Sequence, residues 1–430
     1  MRNYSTKLFE MDTKWAIIIL FLLGMAIRIP YSLIIYSTGE YLHSDSITYL
    51  GPAESLLKEG NFKYYNGDLM FHRTPGYPIF LAGLLRITNN NYKWLLIVQN
   101  TIFVFIAIIL YLIARFTLPK QYAFLAGVLI QLSPWQTVYS SAILTDSLSL
   151  FILSIIFLMV ILLKRNISKP TILFTLSIVL GLLMACYVLV RPVVPLLILM
   201  LGFVWFYLGY SKKILGVVCV VLIFSLSPIL IWSVRNNNLF GTYALSHVSW
   251  STAYKYWGLR TYAMATAQDK WADTTKLKYN NLWDEPIAGN TVKKSLNNYK
   301  ERTIEIISQY PTKAALGFLL SNVETMLHPD PSILRRIGVK IQYDMIIFGA
   351  LWFMMLSISV FGLYYIYFNI KTKINIDCDF ILGMLMVCLL LSATLGISFG
   401  AGARLRMPME LIISILSSVG IISILGKRIN

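Results

Sequence analysis

Apolar residues gather along this chain into long runs, at about 15–36, 92–116, 121–142, 145–163, 170–190, 192–209, 213–233, 343–369, 379–399 and 406–426. Each carries few or no charges over the roughly 18–20 residues a helix needs to cross a bilayer. Hydrocarbon offers no water to backbone polar groups, so such runs fold as helices that satisfy their own hydrogen bonds. The pattern predicts an all-α polytopic membrane protein with about ten transmembrane helices, and up to thirteen if shorter apolar stretches are counted. The run at 76–88 is too short to cross upright and fits a helix lying in the interface.

Two polar segments interrupt the series. The first, 37–91, holds His43-Ser-Asp45-Ser-Ile-Thr-Tyr49 and, further on, Arg73-Thr-Pro-Gly-Tyr-Pro78. Asp45, Tyr49 and Ala53 recur every fourth residue and share one face if the segment is helical. A carboxylate, an arginine and a rigid turn thus share one loop beside the membrane. The simpler reading has Asp45 or Ser46 capping a short helix and Arg73 anchoring at the headgroups.

The second polar segment runs from Arg235 to Gln342. Its first half is rich in aromatics: Trp250, Tyr254, Tyr256, Trp257, Tyr262, Trp271, Tyr279 and Trp283. Those faces could stack on sugar rings or simply pack. Its second half, about 291–328, alternates charged and apolar residues at helical spacing with a break at Tyr310-Pro311, which predicts two amphipathic helices packed on the membrane domain. The organisation expected is an N-terminal transmembrane region over 1–233 that includes the 37–91 loop, a loop region over 234–342, and C-terminal helices over 343–430.

Composition agrees with the pattern. Of 430 residues only 13% are charged, against about 25% in soluble domains, and the mean hydropathy is +0.66. Four cysteines supply no disulfide framework; Cys186, Cys219 and Cys388 sit inside apolar runs and Cys378 just before one, as small core residues do. Trp15 to Tyr36 is longer than a signal-peptide core and no small-residue cleavage site follows it, so it reads as a span.

The net charge of +17 would suit nucleic acid, but no folded basic module presents it, and no nucleic-acid partner is expected. Membrane sidedness accounts for it better. With the N-terminus cytoplasmic, the inner segments hold Arg2, Lys7 and Lys14; Arg115 and Lys120; Lys164, Arg165 and Lys169; Lys212 and Lys213; Lys371 and Lys373; and Lys427 and Arg428. That is the positive-inside arrangement. It places 37–91, Asp146, Arg191, 235–342, Arg404 and Arg406 on the extracytoplasmic side of a cell membrane.

Ionisable groups at the edge of a span are costly and mark aqueous cavities. Here they are Arg28, Asp146, Arg191 before Pro192, and Arg404 and Arg406 before Met407-Pro408, with Glu410 next. All but Arg404 have a structural alternative: snorkelling for Arg28, a helix N-terminus for Asp146, a headgroup anchor for Arg191, and an ion pair between Arg406 and Glu410; Arg404 has no such local partner. Arginines bind phosphate bidentately, and a carboxylate can accept a proton from an attacking hydroxyl. Together they describe group transfer from a lipid phosphate to a hydroxyl acceptor. No Walker loop, His-Glu-x-x-His or Gly-x-Ser-x-Gly motif offers a rival chemistry. His43 and His72 with acids of the first loop are the one conceivable zinc set.

The motifs in order resemble those of the membrane-embedded GT-C glycosyltransferases of the protein O-mannosyltransferase and lipid A aminoarabinose transferase type. They are Asp45, Tyr49 and Ala53; Arg73-Thr-Pro-Gly-Tyr-Pro; Ser133-Pro134, Tyr139-Ser140 and Leu144-Thr145-Asp146; Arg191-Pro192; Pro228, Arg235-Asn236 and Phe240-Gly241; and Arg404-Leu-Arg406-Met-Pro408. The resemblance implies the GT-C fold and an inverting transferase that takes a sugar from a polyprenyl-phosphate donor to a lipid, glycan or protein hydroxyl. It implies Asp45 as general base, Arg73, Arg191, Arg404 and Arg406 on the donor phosphate, and His43, Tyr49, His72, Asp146, Arg28 and Glu410 in support. It implies no required cofactor, since this family type does not generally need a catalytic divalent metal. The chain departs from the pattern at Ser46, where a second acid is common. The other reading is a lipid or polysaccharide transporter or flippase, whose ionisable groups should sit at the midplane on broken helices, in paired repeats. No such repeat is visible, and the charges gather at one face.

Overall fold

A computed structural model describes residues 12–266, 291–330, 332–339, 343–369, 376–395 and 402–427. Trp271, Tyr279, Trp283, Arg2, Lys7, Lys371, Lys373 and Arg428 lie outside them. Among the described residues every numbered element is a helix. In order they are α1 Thr13–Thr38, α2 Ile47–Glu59, α3 Gly76–Ile87, α4 Tyr92–Thr117, α5 Lys120–Leu132, α6 Pro134–Ser140, α7 Thr145–Arg165, α8 Pro170–Val190, α9 Pro195–Leu208 and α10 Lys212–Phe240. Then come α11 Val248–Thr252, a π-turn Ala253–Gly258, α12 Leu259–Ala265, α13 Thr291–Gln309, α14 Pro311–Leu327, α15 Ser332–Arg335, α16 Asp344–Asn369, α17 Cys378–Leu395, a 3₁₀ turn Gly402–Arg406 and α18 Met407–Lys427.

Among the described residues seven helices are long and apolar enough to span a membrane: α1, α4, α7, α8, α10, α16 and α18 with its 3₁₀ lead. The protein is an integral membrane protein, and exposed side chains such as Ile198, Ile231 and Phe353 suit lipid contact.

Two of the expected spans are corrected. The run at 121–142 is two helices, because Pro134 brings no N–H and holds Ser133 out of the α region; Ser133 instead caps α6 by accepting from the Gln136 N–H at 3.3 Å. The run at 192–209 begins as helix only at Pro195 and is 14 residues long. Of the run at 379–399, the described part is helix, Cys378–Leu395, and 396–399 lie outside the described residues.

Two close approaches need glycine. A Cβ on Gly76 would lie 2.7 Å from the backbone of Leu189 and Val190, so only glycine lets α3 begin against the end of α8. Gly362 and Gly420 likewise let α16 and α18 touch, each standing where a Cβ would meet the other helix's carbonyls. The two amphipathic helices of the long loop, α13 and α14, meet at Pro311 as their pattern predicts. The aromatics before them largely pack: Tyr254, Leu259, Tyr299 and Ile306 form a small core with Trp250 and Tyr262 against it.

Candidate functional site

Three anchors bring distant parts of the chain together. Ser46 Oγ donates to the Ile143 carbonyl at 2.9 Å and accepts from the His43 N–H at 2.8 Å, which sets Asp45 beside the start of α7. Ser46 therefore caps nothing, and the Asp45 carboxylate is engaged by arginines rather than by a helix end. Gly76 sets the Arg73 turn against the end of α8, where Arg191 stands. Arg235 donates to the Met70 carbonyl at 2.7 Å, while Asn236 donates to the carbonyls of Ala244 and Leu245. The segments at 70–73 and 244–247 therefore run side by side, and the His247 N–H bonds the Phe71 carbonyl at 3.2 Å.

At the centre lies a chain of alternating charge. Arg73 Nη2 reaches one Asp45 oxygen at 2.6 Å and Arg404 Nη1 the other at 2.8 Å. Arg404 Nε also holds Asp146 at 2.6 Å, and Arg191 Nη1 takes the second Asp146 oxygen at 3.0 Å. Arg404, expected to lack a partner near it in sequence, is the link between both acids. Asp146 is fully buried while the Asp45 side chain is 30% exposed, so Asp45 is the acid a substrate can reach. Burial would raise the Asp45 carboxyl, yet the Arg73 and Arg404 guanidiniums outweigh it and hold it well below the usual carboxylate range. Tyr49 lies beneath the Arg73 guanidinium, 4.8 Å from it, and is braced edge-on by Tyr77 at 5.1 Å.

This cluster borders a cavity of ≈ 600 Å³, within the usual range for small-molecule sites. Asp45, Tyr49, Arg73, Arg191 and Arg404 line it together, and His72 with residues from 246–256 forms much of the rest. The His72 and His247 rings lie 5.9 Å apart, tilted by 34°. Burial, helped by Arg73 and His247, lowers the His72 pKa to about 3, and burial lowers that of His247 to about 4. Both imidazoles are therefore neutral at neutral pH.

Other expected residues lie elsewhere. Arg406 is fully buried away from the cavity, its guanidinium 3.7 Å over Trp352 and 4.7 Å from Trp135, donating to the carbonyls of Met326 and His328. It holds α14 onto α18 and does not join the phosphate-binding candidates. Glu410 closes no ion pair on it; Glu410 Oε2 accepts from Ser133 Oγ at 3.0 Å. Arg28 neither snorkels nor faces the cavity, donating to Gln131, the Gln136 carbonyl and Ser140 Oγ inside the bundle. His43 contacts Ser44 and stands beside the cavity lining. Among the described residues no three His, Cys, Asp or Glu side chains stand close enough to share a metal ion. The arginines on both oxygens of Asp45 and Asp146 also compete with any cation there.

Sequence reasoning missed Ser246, His247 and Lys255 as cavity residues, and it read Tyr254 and Tyr256 only as aromatics that could stack on a sugar or pack. The π-turn that carries the last two has no reliable sequence signature, and only the Arg235-Asn236 anchor hinted that this segment returns to the first loop.

No family model matches the chain, and no curated protein sequence does. Among solved structures it is similar to the archaeal oligosaccharyltransferase AglB from Archaeoglobus fulgidus. In complex with an inhibitory peptide and a dolichol-phosphate, AglB aligns with TM-score 0.54 and 15% identity over 96% of this chain and 50% of its own. Its apo form gives TM-score 0.55 at 15% identity, over 96% of this chain and 51% of its own. The structure of ArnT from Cupriavidus metallidurans bound to undecaprenyl phosphate aligns over 96% of this chain and 78% of its own, at 10% identity and TM-score 0.41. The chain spans about half the length of AglB. The likeness to AglB shows the fold, which is GT-C.

Proposed function

We propose that this protein is a membrane-embedded glycosyltransferase that moves a sugar from a polyprenyl-phosphate donor to a hydroxyl acceptor, on the extracytoplasmic face. The observation that carries the reading is Asp45: a partly exposed carboxylate gripped by Arg73 and Arg404, in a cavity at one end of the spanning helices. The fold supports it, since AglB was solved with a dolichol-phosphate.

The chemistry follows from the pairing. A donor phosphate entering the cavity competes with Asp45 and Asp146 for the forked donors of Arg73, Arg191 and Arg404. As Arg404 turns to the phosphate, one Asp45 oxygen is released to accept the hydrogen bond of an acceptor hydroxyl. The acceptor oxygen attacks the anomeric carbon from the face opposite the phosphate, its proton passes to Asp45, and the carbon–oxygen bond to the polyprenyl phosphate breaks. The leaving phosphate carries away the electron pair, stabilised by the arginines, and the centre inverts. Asp146, buried beneath Arg404 and Arg191, keeps both guanidiniums aimed.

The test uses the purified chain in lipid with polyprenyl-phosphate sugars and a membrane extract as acceptor source, following release of free polyprenyl phosphate. Asp45→Asn keeps the size but cannot take the proton, so turnover should fall by about 10²–10⁴-fold while donor binding persists. Near-normal release by that variant would remove the base assignment. Lipid movement across the bilayer without release by the wild type would favour a transporter.

A further inference from the structure

The cavity has a second wall whose chemistry differs from the first. It is built from the single segment 246–256, which bends into the cavity through the π-turn, together with His72. π-turns are uncommon and frequently occur at functional sites. Where the first wall holds Asp45 and the arginines, this one offers Ser246, His247, Ser249, Thr252 and Tyr256, with Lys255 its one ionised group.

Two of its polar atoms lack partners. Ser246 Oγ and His247 Nδ1 are buried with no hydrogen bond, while His247 Nε2 stands 3.3 Å from Ser295 Oγ. Both residues are 1% exposed and both line the cavity. A buried polar group without a partner costs stability, and native structures keep few of them. A hydroxyl turns readily about χ1, so a ligand hydroxyl arriving at this wall would satisfy Ser246 with little rearrangement. A neutral imidazole offers one donor and one acceptor, which matches a hydroxyl group and not a phosphate.

We propose that His72 and the wall 246–256 form a subsite for the hydroxyl groups of an uncharged sugar ring, so the cavity selects a neutral hexose or pentose over a cationic amino sugar. The selection rests on charge. Arg73, Arg191 and Arg404 line the cavity as three cations. Among the described residues two carboxylates stand against them, Asp45 on the wall and Asp146 buried behind it, both already paired with arginine. A phosphate lowers that excess, whereas an ammonium on the sugar would add to it. The subsite rests on the glycosyltransferase reading, which supplies the sugar. The ring held there belongs to the donor or to a glycan acceptor, and the chemistry of recognition is the same.

The experiment titrates the full chain in nanodiscs, by native mass spectrometry, with undecaprenyl phosphate and with the same lipid bearing glucose, mannose or 4-aminoarabinose. Methyl glucoside and methyl mannoside are followed separately by saturation-transfer NMR. The wild type should bind a neutral glycosyl lipid at least about threefold to tenfold tighter than the bare lipid, the worth of one or two neutral hydrogen bonds. The aminoarabinose lipid should gain nothing. Ser246→Ala should erase most of that gain and leave bare-lipid affinity unchanged, while its Tm holds or rises because an unpartnered hydroxyl has gone. His72→Phe should also lose much of that gain, and His247→Asn, which keeps a polar atom near Nδ1, should retain part of the gain that His247→Phe loses. If Ser246→Ala keeps the donor gain but abolishes saturation transfer to the methyl glycosides, the wall serves the acceptor sugar and the subsite is upheld. Equal affinity of the wild type for bare and glycosyl lipid, with no saturation transfer to either glycoside, overturns it and leaves the phosphate reading standing. A tighter aminoarabinose lipid overturns the selectivity. A wild type that binds no polyprenyl phosphate defeats the function proposed above; the wall then stands or falls on saturation transfer to the glycosides and its disappearance in Ser246→Ala.

Discussion

Arg404 touches both acids of the site, at 2.8 and 2.6 Å, and among the described residues no other arginine does. Lysine at that position keeps one charge but cannot fork between two carboxylates and a phosphate. Arg404→Lys should therefore weaken donor binding about tenfold, and Arg404→Ala about ten- to hundredfold, roughly 1.5–3 kcal/mol. Equilibrium binding of a polyprenyl-phosphate sugar checks both, and wild-type affinity in Arg404→Ala would misplace the phosphate. The histidine pair makes a pH prediction. Imidazoles with folded pKa values of about 3 and about 4, below the unfolded value near 6.5, stabilise the fold above pH 6.5 and lose that contribution as pH falls toward 4. At pH 5 the loss from His247 alone is on the order of 1–2 kcal/mol. Melting temperature should drop between pH 6.5 and 5 in the wild type and drop less in His247→Phe. Asp45, held low, stays ionised throughout that window and should produce no acid limb in turnover there.

Elements place these residues more than any single contact does. The turn before α3 and the end of α8 are locked by the absence of a Cβ at Gly76. Gly76→Ala should push them apart at a cost of about 1–3 kcal/mol in stability, as overpacking does. The larger effect should be on donor affinity, because Arg73 and Arg191 sit on the two displaced pieces. Thermal unfolding and donor binding of the same variant separate the two: a lower Tm with normal binding would mean that the contact serves the fold alone. At the same scale, the Ser133-Pro134 step turned an expected span into two helices, and Glu410 bonds to Ser133 where its spacing suggested Arg406. Spacing along one helix shows which side chains can meet, but neighbouring helices decide which do.

For the whole molecule, α7 runs from Asp146 at the cavity to Lys164 and Arg165 at its far end. There Lys164 pairs with Asp377 at 3.9 Å, and the Asp377 N–H bonds the Thr117 carbonyl. Lys164 and Arg165 and the cavity thus stand at opposite ends of α7. In a chain stripped of its four cysteines, Asn66→Cys should react with an impermeant thiol reagent on intact cells. Lys169→Cys should react only after lysis. The reverse pattern would invert the orientation and move the cavity to the cytoplasmic side.

The apolar runs and the lysine and arginine bias already determined most of the architecture, because a bilayer permits one solution for a run of that length and composition. They were enough to expect helices, their approximate ends, the amphipathic pair at 291–328 and an end of the bundle rich in ionisable groups. The site itself was legible only in part. Asp45, Arg73, Asp146, Arg191 and Arg404 could be picked out because charge at a membrane edge is costly and so conspicuous. Only the tertiary structure separated them from Arg28 and Arg406, whose charges are met by carbonyls, glutamine and tryptophan faces inside the bundle. It alone revealed the wall at 246–256, since serine, histidine and tyrosine are unremarkable in any loop. They become chemistry when a fold buries them together with polar atoms left unpaired.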